Sequence, residues 1–345
     1  MKLLVTGGAG FIGSAFVRRR LASTDDQIVV LDKLTYAGNR ANLVEVETDD
    51  AMAKRLTFVR GDIVDRDVSQ PLVAEADVVI NFAAESHVDR SILDAEAFLR
   101  TGVVGVHVLL EAARAEAARR PVRFVQISTD EVYGDVAQGT SVETDSLSPR
   151  SPYSAAKAAG ELLVLSYHAT YGLDIVVTRG ANTYGPYQHP EKLIPLFVTN
   201  CIDDQALPLY GDGRQQRDWL HVNDHADGVG FVADHGLPGE VYNLVGSGTR
   251  TNRDVTERIL GALERSWSLV RSVPDRPGHD LRYAMDGSKT SGLGWQPTVD
   301  FEQGLRDTIS WFVGNEDWWR RAKSGEWLDY YELQYGDRLA DSVEA

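Results

Sequence analysis

The run Lys2-Leu3-Leu4-Val5-Thr6-Gly7-Gly8-Ala9-Gly10-Phe11-Ile12-Gly13 decides how the rest of the chain is read. Leu3 to Thr6 is short and apolar, as a buried strand is. The helical pattern from Gly13 to Leu21 follows directly. Between them, Gly7, Gly10 and Gly13 have the spacing G-x-x-G-x-x-G, a relative of the dinucleotide fingerprint. Without a Cβ the backbone turns tightly and a pyrophosphate can approach it. The helix start, including Phe11 and Ile12, offers free N–H groups and a positive dipole end. A strand before the turn and a helix after it are the context this reading requires.

Working outward, similar apolar runs recur at Gln27 to Leu31, Leu56 to Arg60, Val78 to Phe82, Arg123 to Ile127 and Ile175 to Thr178. Helical stretches such as Ala95 to Ala118 separate them. This alternation predicts an α/β fold, with a doubly wound, mostly parallel Rossmann-type sheet over residues 1–179. After Arg179 glycine and proline become frequent (Gly185-Pro186, Gly211-Asp212-Gly213, Pro238-Gly239) and the rhythm is lost. Residues 180–345 are therefore expected to form a smaller, mixed α/β C-terminal lobe. Val241 to Val245 reads as a strand that can return to the main sheet. Six of the seven tryptophans lie from Trp267 onward, and Phe301, Leu305, Ile309 and Phe312 have helical spacing, which predicts an aromatic core there. The second strand is followed by Asp32, nineteen positions beyond Gly13. A carboxylate there accepts hydrogen bonds from ribose hydroxyls and repels a 2′-phosphate, which favours NAD over NADP. Lys33, next door, weighs slightly the other way.

The 345 residues are enough for about two domains and for a core that needs no disulfide or metal. With 51 acidic and 35 basic residues the net charge is -16, which argues against nucleic-acid or membrane-surface binding. A single cysteine, Cys201, excludes a disulfide framework and fits a reducing cytoplasm. No signal-peptide pattern and no run of about eighteen apolar residues is seen, so neither a signal peptide nor a membrane span is expected.

Chemistry is suggested by two segments. Ser151-Pro152-Tyr153-Ser154-Ala155-Ala156-Lys157 contains Tyr-x-x-x-Lys, with Ser151 as N-cap and Pro152 at the first helical position. Tyr153 and Lys157 then share a helix face, and the ammonium is expected to lower the phenol pKa and make Tyr153 a general base. The fifth strand runs into Ser128-Thr129-Asp130-Glu131-Val132-Tyr133-Gly134, at the strand end that faces a ligand crevice. Two adjacent carboxyl groups there can divide the roles of proton donor and acceptor. A turn-capping role for Asp130 and Glu131 is the plainer alternative.

Together with Tyr-x-x-x-Lys, the glycine turn resembles that of the extended short-chain dehydrogenase/reductases. The chain is similar to their nucleotide-sugar 4,6-dehydratase branch in further blocks: Asp32-Lys33-Leu34-Thr35-Tyr36-Ala37-Gly38-Asn39, Ala83-Ala84-Glu85-Ser86-His87-Val88-Asp89-Arg90-Ser91, Tyr184-Gly185-Pro186-Tyr187, Pro190-Glu191-Lys192-Leu193-Ile194-Pro195, Arg217-Asp218-Trp219 and Asp275-Arg276-Pro277-Gly278-His279-Asp280. The Thr129-Asp130-Glu131 triplet discriminates, since related epimerases usually lack the acidic pair. The resemblance implies bound NAD, dTDP-glucose as substrate, a 4-keto-6-deoxy sugar nucleotide as product and a homodimer packed through Ala95 to Ala118 and Tyr153 to Tyr171. It makes Tyr153, with Lys157 and Thr129, the base at sugar carbon 4, Glu131 the base at carbon 5 and Asp130 the acid at the carbon 6 hydroxyl.

The same resemblance places Lys33, Leu34, Thr35, Asp62, Ile63, Ala83, Ala84, Ser86, Thr101 and Thr183 along the cofactor. It places Ser86, Thr129, Asn182, Lys192, Leu193, Pro208, Tyr210, Arg217, Asn252, Arg276 and His279 around the sugar nucleotide. Lys192, Arg217 and Arg276 have a physical reason to be there, because a diphosphate needs cations in so acidic a chain. Two departures concern NAD affinity: Thr183 stands where the branch usually has Asn, and Gly102 where it often has Asn. His221 and His225, at i and i+4 beside Asp224, read as packed or capping histidines, with no metal expected. Arg18-Arg19-Arg20 reads as a solvated helix face. Another nucleotide-sugar epimerase or decarboxylase, and a silent NAD-binding module, remain as alternative functions.

Overall fold

Runs of Val, Ile and Leu become strands β1 (Lys2–Thr6), β2 (Gln27–Asp32), β3 (Leu56–Arg60), β4 (Val78–Asn81), β5 (Arg123–Thr129) and β6 (Asp174–Gly180). Later come β7 (Asn182–Tyr184), β8 (Leu207–Tyr210), β9 (Gln216–His221), β10 (Glu240–Leu244), β11 (Thr249–Thr251), β12 (Val270–Val273) and β13 (Val343–Glu344). The computed structural model describes residues 1–340 and 342–344, so positions 341 and 345 of the expected second lobe lie outside the described residues. A seven-stranded sheet has the order β10-β6-β5-β4-β1-β2-β3. Every pairing in it is parallel. All of β4 is buried, as a strand covered on both faces must be.

Winding reverses between β1 and β4, and the carboxyl ends of the strands open a crevice there. Beneath it the Thr6 hydroxyl donates to Asn81 Oδ1 at 2.6 Å, and the Asn81 amide donates to Gln126 Oε1 at 2.8 Å. This buried polar ladder ties β1, β4 and β5 together. One face of the sheet is covered by helices Phe11–Ser23 and Val222–His235, whose Phe16, Val17, Val229 and Val232 share a core. The other is covered by helices Arg66–Glu75, Val106–Ala117 and Pro152–Tyr171, through Val73, Leu109, Leu110 and Val164.

β10 pairs with β6, Val241 opposite Val177, so a strand encoded beyond residue 180 completes the first sheet. The remaining chain forms two three-stranded sheets, β11-β9-β7 and β13-β12-β8. Their core contains Phe301, Leu305, Ile309 and Phe312 from helix Phe301–Gly314, with Trp319 and Trp327 against them.

Two local expectations change. Residues 95–118 are not one regular helix: helix Glu96–Leu99 passes through a wide π-helical turn, Arg100–Gly105, into helix Val106–Ala117. The turn packs on helix Pro152–Tyr171 so closely that a Cβ on Gly160 would come within 2.3 Å of the Gly102 carbonyl oxygen. Such turns collect at functional sites, and this one carries Thr101 to the crevice wall. The arginine triplet is not a solvated face, since only Arg19 is exposed. Arg20 pairs with Asp26 at 2.7 Å and Asp234 at 2.6 Å, and the Arg18 guanidinium lies 4.4 Å from the centre of the Tyr187 ring. The acidic surplus of the chain supplies these partners. Among the described residues no helix is long and apolar enough to cross a membrane.

Candidate functional site

At the β1 end of the crevice, geometry is set by the main chain. Gly7 has φ of 67°, and a Cβ on it would lie 2.7 Å from the Ala83 backbone nitrogen. A Cβ on Gly13 would lie 2.3 Å from the Gly7 carbonyl oxygen. The turn is thus a cradle only glycine can line, followed by a helix whose Gly10 cap makes no side-chain bond to the free N–H groups. These are the features a pyrophosphate requires. Asp32 accepts the Ala9 N–H at 2.9 Å on Oδ2 and the Leu34 N–H at 2.8 Å on Oδ1. Each oxygen keeps a lone pair for a ribose hydroxyl. Lys33 pairs with Asp62 at 2.9 Å, so the cation that weighed toward a 2′-phosphate is already engaged. The residues present fit NAD.

Local sequence explains the other end as well. Ser151 Oγ accepts the Ser154 N–H and Ser154 Oγ accepts the Ser151 N–H, both at 3.1 Å, a reciprocal cap that starts helix Pro152–Tyr171. Tyr153 therefore stands in its first turn, with its N–H donated to Ser91 Oγ at 3.1 Å and its ring edge-on to Phe98. β5 ends at Thr129 and tightens into a 3₁₀ turn, Asp130–Tyr133. Thr129 Oγ1 caps that turn by accepting the Glu131 N–H at 3.3 Å and donates to Asp130 Oδ1 at 3.0 Å. The turn-capping role is taken by Thr129 rather than by either carboxyl group.

The two carboxyl groups are electrostatically unequal. Burial, then the neighbouring Glu131, push Asp130 up to about 8, so its carboxyl is protonated at neutral pH. Glu131 is raised as well, chiefly by burial, with Arg276, Lys192 and Arg217 opposing the rise. The two carboxyl groups thus lie side by side in different surroundings, Asp130 against a second carboxyl group and Glu131 against three cations. Burial pushes the Tyr153 phenol above its ordinary value, as do Glu131 and Asp130, while the Thr129 hydroxyl lowers it. The expected lowering of the phenol by the ammonium is outweighed, since Tyr153 is raised overall. Lys157 Nζ donates to the Ile127 carbonyl oxygen at 2.5 Å, and burial brings its own pKa down to about 8.

Most of the expected site lines one crevice. It includes Gly7, Gly10, Phe11, Ile12, Gly13, Asp32, Lys33, Thr35, Asp62, Ile63, Ala83, Ala84, Ser86 and Thr101. It also includes Thr129, Asp130, Glu131, Tyr153, Lys157, Asn182, Thr183 and Lys192. Arg217 and Arg276 lie near enough to act on Glu131; Arg217 Nη2 lies 3.0 Å from His279 Nε2, and Arg276 donates to Asp89 Oδ1 at 3.2 Å. Tyr210 donates its hydroxyl to the other Asp89 oxygen at 3.0 Å. Leu34, Leu193, Pro208 and Asn252 are not part of the crevice wall. Leu34 shapes the cofactor loop with φ of 58°, Leu193 and Pro208 begin or lie in elements of the second lobe, and Asn252 starts helix Asn252–Ala262 with its Oδ1 buried and unpartnered.

Sequence reasoning missed Glu85, Gln188, His189 and His225 on the crevice wall. Gln188 and His189 fall between two recognised blocks, which was the available signal. His225 Nδ1 lies 2.7 Å from the Thr183 hydroxyl, which also donates to the Ala181 carbonyl at 3.1 Å. Burial lowers the His225 pKa to about 4, so the ring is neutral. His221 caps helix Val222–His235 by accepting the Asn223 N–H. Among the described residues no group of three His, Cys, Asp or Glu side chains is placed to hold a metal.

The chain matches the family described as GDP-mannose 4,6 dehydratase over residues 4–308. It is 51% identical over 330 residues to dTDP-glucose 4,6-dehydratase from Streptomyces niveus, covering 94% of this chain and 96% of that one. A crystal structure of dTDP-glucose 4,6-dehydratase from Streptomyces venezuelae with NAD bound superposes with a TM-score of 0.89 at 50% identity, over 94% of this chain and 100% of that one. UDP-glucose 4-epimerase from Thermus thermophilus, in complex with NAD, superposes with a TM-score of 0.82 at 31% identity, over 91% and 100%. Crevice, acid pair and these likenesses agree: the chain belongs to the nucleotide-sugar 4,6-dehydratase branch of the extended short-chain dehydrogenase/reductases.

Proposed function

We propose that the protein is an NAD-dependent dTDP-glucose 4,6-dehydratase, a hydro-lyase that forms dTDP-4-keto-6-deoxyglucose. The observation that carries this reading is the adjacent carboxyl pair, Asp130 pushed up by burial and by Glu131, and Glu131 faced by three cations, beside Tyr153 in a crevice that fits NAD. The relatives that bear this name at about half identity support it.

NAD, when bound, supplies the acceptor for the hydride that leaves carbon 4 and the donor for the hydride that reaches carbon 6. Tyr153 takes the carbon 4 hydroxyl proton, with Thr129 beside its phenol. A protonated Asp130 removes one of the two negative charges that otherwise oppose phenolate formation. The ketone at carbon 4 acidifies the carbon 5 proton, and Glu131 removes it. Asp130 gives its proton to the carbon 6 hydroxyl, which leaves as water. A proton returned to carbon 5 completes the product, so the net change is loss of one water. Lys192, Arg217 and Arg276 bind the diphosphate, and Asn182, Asn252, Tyr210 and His279 orient the nucleotide sugar. Residues 1–179 with β10 form the NAD lobe, and the rest of 180–345 forms the sugar-nucleotide lobe.

The protein acts as a homodimer through helices Val106–Ala117 and Pro152–Tyr171, a reading supported by the exposed Leu162 and Tyr171 and, beside them, Leu99 and Val104. The one cysteine, Cys201, is buried and unpaired, which supports a reducing cytoplasmic setting.

An epimerase shares the fold, so the test must read the reaction. Purified protein with dTDP-glucose or UDP-glucose in deuterated water is followed by mass spectrometry and proton NMR. The expected result is loss of one water and gain of one deuterium at carbon 5, with dTDP-glucose the better substrate. A carbon 4 epimer without water loss would replace this reading with an epimerase, and NAD binding without turnover would leave a silent module.

A further inference from the structure

Between the cofactor loop and Lys192 stands a pair of charges, a buried Glu191 and a partly buried Arg90, that the proton transfers do not use. Arg90, on helix Val88–Leu93, holds its guanidinium 4.0 Å from the centre of the Tyr36 ring and 4.1 Å from that of Tyr330. Its Nε donates to Glu191 Oε2 at 2.8 Å, and the Glu191 side chain is wholly buried. Each flank leads to a different ligand contact. Tyr36 follows Thr35 on the loop beyond Asp32, and its hydroxyl accepts the Ser86 N–H at 3.2 Å. Glu191 precedes Lys192, whose Nζ donates to the Ser86 carbonyl oxygen at 2.5 Å. Tyr36, Ser86, Lys192, Glu191 and Arg90 thus close a ring of contacts, with Tyr330 of helix Glu326–Ala340 as its outer jaw.

Stability does not explain this arrangement. A buried ion pair contributes little more than apolar packing of the same volume, and Arg90 Nη2 is buried with no partner. Fixed orientation is what such an arrangement provides: a planar guanidinium can stack on two rings while bonding a carboxylate, which a lysine cannot.

We propose that Arg90 is a positioning residue that holds the cofactor loop and the diphosphate-binding Lys192 as one unit, so that NAD and the nucleotide diphosphate bind cooperatively. The identity of the two ligands rests on the dehydratase reading. Linkage makes the coupling reciprocal, so either ligand reports it. Wild type, Arg90→Lys, Tyr330→Phe and Tyr330→Leu are compared by calorimetric titration of NAD, of dTDP with and without NAD, and by kcat and KM. Arg90→Lys should weaken NAD and raise KM by about tenfold each, leave kcat within about threefold and abolish the dependence of dTDP affinity on NAD. Tyr330→Phe keeps the ring face and should match the wild type, and Tyr330→Leu should fall between.

A variant that loses only melting temperature, or loses kcat at constant KM, overturns the proposal. So does an unchanged coupling between NAD and dTDP. If Arg90→Lys does not fold, Tyr330→Leu reads the same coupling and decides. A wild type without turnover would defeat the dehydratase reading, while the two titrations would still decide the role of Arg90.

Discussion

Gly7, Gly13 and Asp32 shape one end of the crevice through main-chain geometry, whereas Asp130, Glu131, Arg217 and Arg276 shape the other through charge. The first end offers dipoles and empty space, and the carboxylate of Asp32 is held there by two backbone N–H groups. The second buries ionisable groups against one another, so that both carboxyls are pushed up and three cations oppose the rise at Glu131. An acidic protein can therefore bind two anionic nucleotides by two routes. One route needs no cation, and the other concentrates cations where the proton chemistry needs them.

The sharpest way to separate the ends is Glu131→Gln, which keeps shape and removes the base. Product formation should fall about 10²–10⁴-fold while the NAD dissociation constant stays unchanged. Loss of NAD in this variant would show that Glu131 itself supports the cofactor end. The converse is Gly13→Ala, whose Cβ would meet the Gly7 carbonyl oxygen at 2.3 Å. NAD should bind more weakly by about tenfold or more, at a cost of roughly 1–3 kcal/mol in stability, with Glu131 untouched. A variant that binds NAD normally would remove the steric account of the turn.

A smaller effect concerns Asp130, whose pKa is raised to about 8 by burial and by Glu131. As pH rises through about 8 the acid ionises, so kcat should decline there. The stability consequence has a fixed sign. A carboxyl with a raised folded-state pKa stabilises the folded state at low pH and loses that contribution as pH rises through the folded value. Asp130→Asn should therefore melt above the wild type at pH 8 and higher, with the gap narrowing toward pH 4. An equal gap at every pH would mean that packing rather than ionisation sets it.

How much was legible in the sequence follows the same division. Strand-turn-helix order, Asp32 and the start of the Tyr153 helix depend on neighbours in sequence, and spacing alone sufficed. The partner of Lys157 did not follow from spacing. Helical spacing placed Tyr153 nearby, but Nζ reaches the carbonyl of Ile127, thirty positions away. Nor did the fate of Arg18 and Arg20, because Tyr187, Asp26 and Asp234 reach them only through the fold. The triplet at Thr129 was readable as chemistry, yet its inequality needed Arg217 and Arg276 from distant strands and loops. Gln188, His189 and His225 carry no motif, and a histidine behind Thr183 looks like any core histidine until its partners are placed.

The ladder Thr6, Asn81 and Gln126 bears on assembly as well as on the finished crevice. Slipping any of these strands by one residue would turn its rung to the opposite face and leave an amide without a partner in an apolar interior. Hydrophobic side chains alone would tolerate several alignments of such uniform strands. Three polar side chains favour one alignment over the others, so the sheet can close correctly only when the surface that receives the cofactor is also correct.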